Sequence, residues 1–149
     1  MAHGRRNRKV LDAVSLEAGE TVEVVSVVEV GTLRPSPEAM ALTAAMGVAM
    51  LALGRGLRLI VARTRCGLVL TDRRLVLVEA STSGKMLGVV TDARRDGLRR
   101  SEVSTRAYLW FDVADTATDT AIRLSFPLPN RSEGRQVADA IALVEQPPG

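Results

Sequence analysis

The segment that most constrains the fold is Leu68–Ala80, which reads LVLTDRRLVLVEA. Two runs of Leu and Val, which favour β-strands, flank the short polar stretch Thr71-Asp72-Arg73-Arg74. A polar stretch of this length between two apolar runs predicts a tight β-hairpin whose arms are both buried. We therefore expect a fold built around antiparallel strands.

Further strands are predicted on both sides of this hairpin. In Thr120–Phe126 apolar and polar residues alternate, which indicates a strand with one buried face. In Thr21–Gly31 the alternation breaks at Val25-Ser26-Val27, which predicts a β-bulge or burial on both faces. The complete set of predicted strands comprises the two hairpin arms and Thr21–Gly31, Met86–Thr91, Leu98–Thr105, Ala107–Val113 and Thr120–Phe126.

A C-terminal helix is predicted to follow the last strand. Asn130 is expected to cap it, with Glu133 three residues later completing a capping box. An apolar stripe at helical spacing, made of Val137, Ala140, Ile141 and Val144, would pack on the sheet. The chain of 149 residues suits one domain over residues 15–146. Residues 1–14 are expected to form a flexible basic tail and residues 147–149 a short C-terminal tail.

The least ordinary segment lies between the first strand and the hairpin. Ser36-Pro37 is a helix-start signal, and from Ala39 to Gly54 the chain carries no charge. An inserted apolar helix is therefore predicted over about 36–62. A membrane span needs about 20 apolar residues, so this helix could be buried on its own sheet or in a homo-oligomer, lie in a membrane interface, or cross a membrane at a tilt. One of its faces would carry Leu42, Met46, Met50, Leu53 and Leu57.

The hairpin and the residues before the first strand resemble a known family. Leu70-Thr71-Asp72-Arg73-Arg74-Leu75 resembles the "L-T-[DN]-x-R-[LI]" signature of bacterial pleckstrin-homology-like (PH-like) and GRAM-like domains, and Gly19-Glu20 resembles their "GE" opening. The resemblance implies a mainly β (α+β) fold: a seven-stranded antiparallel barrel or sheet with a C-terminal capping helix, here with the apolar helix inserted after the first strand. For bacterial members it implies a binding or assembly module. Because the first strand carries Glu23 and Glu29 rather than basic residues, phosphoinositide recognition is not carried over.

Catalysis has little basis in the sequence. The single histidine, His3, lies in the predicted tail, and the single cysteine, Cys66, lies at a strand entrance where a buried thiol is expected. We predict no enzymatic activity, no metal, no cofactor and no small-molecule substrate. One cysteine allows no intrachain disulfide, and no apolar run follows the N-terminal basic residues. A cytoplasmic protein is expected, with the inner face of the membrane as the alternative.

The sequence is compatible with three kinds of partner. The preferred one is a protein, or a second copy of this chain, docking on the Leu42–Leu57 face described above. The alternative is an anionic membrane leaflet contacted by that helix and by the arginines that follow it, with the N-terminal cations as a second contact. Those arginines are Arg55, Arg58, Arg63 and Arg65. Nucleic acid is the least favoured partner, because acidic residues dilute the candidate patch of Arg94, Arg95, Arg99 and Arg100 with Tyr108 and Trp110. In the hairpin turn, Asp72 and Arg74 are predicted to have structural roles.

Overall fold

The computed structural model describes residues 2–35, 58–116 and 120–144. Over these residues the protein is mainly β, with nine strands in one sheet. The strands run in the order β4-β3-β2-β1-β8-β7-β5-β9, and β6 pairs with β7. The bounds are β1 Val22–Pro35, β2 Arg58–Thr71, β3 Arg74–Ala80, β4 Met86–Arg94, β5 Leu98–Arg100, β6 Ser104–Thr105, β7 Leu109–Asp115, β8 Thr120–Phe126 and β9 Ala142–Leu143.

The predicted hairpin is formed by β2 and β3, which are antiparallel and joined by Asp72-Arg73. Its arms are apolar without alternation because both faces of this part of the sheet are covered. A register shift between Val22 and Val24 in β1 places a bulge there, and the residues after it contribute to the cores on both faces. The prediction of strands in this region is confirmed.

The main core lies between the sheet and helix α2, Arg131–Ala140. The rings of Phe111 and Phe126 stack at its centre with centroids 6.0 Å apart. The helix approaches closely because residue 134 is a glycine: a Cβ there would lie 2.8 Å from the ring of Phe126. The prediction of a C-terminal helix is confirmed, but its cap is not as expected. The Asn130 side chain makes no cap hydrogen bond and instead donates from Nδ2 to the Val27 carbonyl oxygen at 2.8 Å.

The N-terminal segment differs from the prediction. Residues Ala2–Asp12 form helix α1, which packs on β1 and β2 on the face opposite α2. Val10 is fully buried there, and Val14 is 7% exposed. In place of the flexible tail predicted over residues 1–14, the structure has a helix. Its Val10, together with Val14 just beyond its C-terminal end, buries apolar surface against the sheet.

The sheet is open in the described part of the chain, with β4 and β9 at its two ends, so the barrel form of the prediction is corrected. The strands are antiparallel neighbours except for β9, which runs parallel to β5. The predicted inserted helix is also too long at its C-terminal end. Residues 58–62 belong to β2 and pair with β1, where β-branched and Leu residues favour a strand. Residues 36–57 lie outside the described ranges.

Candidate functional site

The hairpin turn is tied to the rest of the fold by Arg74. Its Nε donates to Glu20 Oε2 at 2.8 Å and its Nη2 to Glu20 Oε1 at 3.0 Å, a two-point pairing. Its Nη1 donates to Asp92 Oδ2 at 2.8 Å, and its Nη2 also donates to the Ser15 carbonyl oxygen at 2.5 Å. The Glu20 side chain is 0% exposed and that of Arg74 is 10% exposed, so this ion pair is well shielded from water. Arg74 therefore joins the β1 entrance, the hairpin and β4.

The residues around Arg74 complete the connection. The Thr71 hydroxyl donates to Glu20 Oε2 at 2.6 Å. The Thr21 amide donates to Asp72 Oδ1 at 2.9 Å, and the Asp72 amide donates to the Thr21 carbonyl oxygen at 2.9 Å. Hydrogen bonding by Arg74, more than by Thr71, lowers the pKa of Glu20 to about 2 against the opposing effect of burial. These bonds give Asp72 and Arg74 a structural function.

The same network explains why a glycine and a glutamate precede β1. Gly19 adopts a φ of +77°, which favours glycine, and it places Glu20 against the hairpin. The two parts of the motif that carry the family resemblance, Gly19-Glu20 and Leu70–Leu75, are therefore in direct contact through Glu20, Thr71 and Arg74.

A different site forms where α1 crosses the sheet; we call it the α1 cleft. Its smaller part is a cavity of about 160 Å³ between α1, β2 and the β3–β4 turn. Its larger part, about 380 Å³, opens beside it toward the segment before α2. Arg6, Val27 and Arg65 line both parts; Lys9, Thr82, Ser83, Gly84, Ala80 and Met86 complete the smaller part, and Val28, Glu29, Tyr108, Pro127, Pro129 and Asn130 complete the larger.

The exposed cations of α1 and β2 lie on the side of the sheet that α1 covers. We call this set of residues the basic face; its members are Arg5, Arg6, Arg8 and Lys9 of α1 with Arg63 and Arg65 of β2. All six are exposed, and no ion pair involves them within the described residues. Cations at this density that form no ion pair with a described residue attract anions.

The arginines of the candidate nucleic-acid patch make contacts within the protein. Arg95 pairs with Glu23 and donates to the carbonyl oxygens of Thr71 and Ala140. Arg100 donates to the Ala138 and Ile141 carbonyl oxygens. These side chains therefore tie strands and α2 together.

The other members of that patch are engaged as well. Arg94 lies 3.6 Å from Glu17, and Arg99 donates to the Asp96 and Leu98 carbonyl oxygens. The Trp110 ring lies under Arg123, 3.8 Å from its guanidinium carbon. Tyr108 lines the α1 cleft instead. The cleft of about 730 Å³ in this region has Asp72 and Asp96 among its lining residues beside arginines, so its charge is mixed.

The structure brings together only part of the predicted site. Arg63 and Arg65 are exposed on β2, and Arg65 lines the α1 cleft with Arg6 and Lys9, two of the N-terminal cations that were expected to act as a second contact. Arg58 begins β2 opposite Pro35. The predicted apolar surface, Leu42, Met46, Met50, Leu53 and Leu57, lies outside the described residues, as does Arg55. Sequence reasoning missed the convergence of Arg6 and Lys9 with Arg65; Gly67, a glycine inside an apolar strand, was the available signal for a close approach.

Other features of the described residues bear on chemistry. Cys66 is 2% exposed in the main core, and burial raises the pKa of its thiol to about 11. Within the described ranges no three His, Cys, Asp or Glu side chains are grouped so that they could hold a metal ion. Among those residues no helix has the length and apolar character to cross a membrane. No protein-family model matches the chain, and no curated protein matches it.

Proposed function

We propose that this chain is a non-catalytic, PH-like binding module that attaches peripherally to an anionic membrane surface through the basic face. The observation that carries the proposal is the packing of α1 on the sheet. Val10 sits directly over Gly67, and this contact presents the α1 cations on the same side of the sheet as Arg63 and Arg65. Each Lys or Arg near an anionic leaflet contributes about 1 kcal/mol, so such a cluster supplies useful affinity without a dedicated headgroup site.

The sequence that joins β1 to β2 supports the same proposal. The β1–β2 pairing continues past the last pairing of β1 with β8, at Thr32 and Ile122, as far as Pro35 and Arg58. The two strands therefore extend as a ribbon, and the chain passes from its end into the uncharged residues of Ala39–Gly54. Arg63 and Arg65 lie in the sheet just before the ribbon begins, opposite Gly31 and Glu29. An apolar segment that basic residues follow in the sequence provides two signals for membrane attachment, and stable peripheral binding generally needs two.

The PH-like part of the proposal is supported by order and contact. Strands β1 to β4 form consecutive antiparallel pairs, β1 also pairs with β8, and a C-terminal helix packs on the core. The two motif segments of the resemblance are joined through Arg74 and Glu20. The non-catalytic part is supported by the burial of Cys66 and by the pairing of Glu20, Asp92 and Asp112 with arginines.

The test is flotation of the purified chain with phosphatidylcholine vesicles, with and without phosphatidylglycerol. We expect binding only to the phosphatidylglycerol vesicles, and weaker binding as salt screens the charges. A double variant, Arg8→Gln with Arg63→Gln, should weaken binding about 25-fold, because 1 kcal/mol per residue corresponds to about fivefold each.

The matched control for this test is Arg106→Gln with Arg135→Gln. It removes the same charge from exposed residues outside the basic face, Arg135 lying on α2 across the sheet. This pair should leave vesicle binding nearly unchanged. If the two pairs of substitutions weaken vesicle binding equally, the cause is the change in net charge, which contradicts the proposal. Absence of binding to phosphatidylglycerol vesicles would contradict it as well.

Self-association is the second candidate, and strand β4 favours it. This strand ends the described sheet, and its Leu87, Val89 and Val90 side chains are 57%, 50% and 54% exposed. An exposed apolar edge strand can pair with the same strand of a second copy. Register shifts opposite β3 at two points make this edge irregular, which disfavours such pairing and places this candidate second. A mass in light scattering that rises with concentration, and that Val89→Lys abolishes while Thr82→Lys does not, would support it.

A further inference from the structure

The smaller part of the α1 cleft has the composition of an oxyanion site. Arg6 and Lys9 reach it from α1, Arg65 from β2, and Thr82 and Ser83 from the β3–β4 turn. Its volume of about 160 Å³ holds several water molecules, since each occupies ~30 Å³ in the liquid. It is therefore large enough for a phosphate group and small enough for the surrounding side chains to contact one.

The charges of the lining residues favour an anion. Among the described residues, the smaller part is lined by three cations and by no carboxylate. Glu29 lies opposite Arg65 in the β1–β2 register and lines only the larger part, and the two form no ion pair within the described residues. A bound oxyanion would relieve the repulsion among the three cations, and arginine matches the geometry of a phosphate with two donors.

The β3–β4 turn supplies neutral donors. The Lys85 amide donates to Ser81 Oγ at 3.0 Å, and the Ser81 and Ser83 hydroxyl oxygens are 2.9 Å apart. When the Ser81 hydroxyl donates to Ser83 Oγ, the Ser83 proton is left for a ligand. The Thr82 side chain is exposed and makes no hydrogen bond to any other described residue. The turn is held by Gly84, whose φ of +89° favours glycine.

We propose that this part of the α1 cleft binds a single phosphate group through Arg6, Lys9 and Arg65, assisted by the hydroxyls of Thr82 and Ser83. The phosphate of an anionic lipid headgroup is one source of such a group, and to that extent the inference rests on the proposed function. A soluble phosphate monoester is the other source. Diffuse attraction by the basic face requires no such site, so the two proposals can fail separately.

The test is calorimetric titration of the full chain with inorganic phosphate and with glycerol 3-phosphate, at an ionic strength kept constant with chloride. We expect both to bind. Arg65→Gln should weaken binding at least about tenfold, the loss expected for one hydrogen bond to a charged group. Arg135→Gln, an exposed arginine on the opposite helix, should leave it unchanged. Ser83→Ala, which removes only the hydroxyl, should weaken binding by a smaller factor.

The source of the phosphate is decided by competition. If inorganic phosphate displaces the chain from phosphatidylglycerol vesicles at constant ionic strength, the cleft holds the lipid headgroup. If phosphate binds, Arg65→Gln weakens phosphate binding and the chain does not bind vesicles, the inference stands for a soluble phosphate ester and the proposed function fails. If the vesicles bind but phosphate gives no heat, or Arg65→Gln binds it as the parent chain does, the inference is overturned and the proposed function remains.

Discussion

The packing of α1 on the sheet can be tested by the single substitution Gly67→Ala. A Cβ at this position would lie 2.6 Å from both Cγ atoms of Val10, closer than packed carbon atoms approach. Overpacking of this kind costs about 1–3 kcal/mol. In the absence of α1, the same change in a strand would stabilise the protein by about 0.4–1 kcal/mol, because alanine restricts the unfolded chain. The sign of the effect therefore distinguishes a docked helix from a free tail.

A second substitution makes the test specific to this contact. Val10→Ala removes two buried methyl groups at ~0.8 kcal/mol each, so with the cavity left behind it should cost about 2 kcal/mol. In the double variant the new Cβ occupies the space that Val10 vacates. The combined loss should then fall short of the sum of the two single losses by about 1–2 kcal/mol.

The measurement is urea unfolding followed by circular dichroism for the parent chain, both single variants and the double variant. Gly88→Ala is the control, because a Cβ there meets nothing within 4 Å and no clash opposes the gain. It should be neutral or slightly stabilising. The reasoning is refuted if Gly67→Ala is as stable as Gly88→Ala and if its effect simply adds to that of Val10→Ala.

Three further predictions concern the hairpin turn and the core. Arg74→Gln should lower the free energy of unfolding by about 3–5 kcal/mol in urea titrations, because it leaves the shielded carboxylate of Glu20 without its cation. The neighbouring Arg73→Gln should cost about 0–1 kcal/mol, since its partner Glu17 is exposed. Equal losses for the two variants would refute the role given to Arg74. The pKa of Glu20 is lowered in the folded state from 4.5 to about 2, so its stabilisation is complete above pH 4.5 and is lost as the pH falls from there through 2. Unfolding midpoints over that range should fall less in Glu20→Gln than in the parent chain, and parallel curves would count against the ion pair. The thiol of Cys66, with its pKa raised to about 11 and its side chain buried, should react with a thiol reagent only as fast as the chain opens, and rapid modification of the native protein would show that the main core is wrongly placed.

The strands were predicted best where the pattern of apolar residues and their β-forming composition agreed. The β2–β3 hairpin and β8 are in the predicted places because Leu and Val runs bounded by polar turns have few alternatives to strands. The end of β4 was missed because Asp92 and Arg94 look like a loop, although Asp92 pairs with Arg74 in the folded chain. Such a tertiary contact leaves no local signal.

The α1 helix was missed for a related reason. Its basic residues dominate the local composition, and few apolar residues, chiefly Val10 and Leu11, indicate that one side of the helix is buried. The complementary signal, Gly67, lies far away in the sequence, so neither residue is informative until the sheet brings them together. The α1 cleft could not be predicted from the sequence for the same reason. Its lining residues Arg6, Arg65 and Ser83 come from three separate parts of the chain, and no spacing in the sequence relates them.

The most direct test of membrane attachment through the basic face is hydrogen–deuterium exchange of the full chain, with and without vesicles containing phosphatidylglycerol. Peptides covering α1 and the β3–β4 turn should exchange more slowly when the vesicles are present, because the membrane lies against them. Peptides from α2 should exchange at the same rate with and without vesicles. Unchanged exchange in α1 and the turn, or slower exchange confined to β4, would contradict attachment through the basic face.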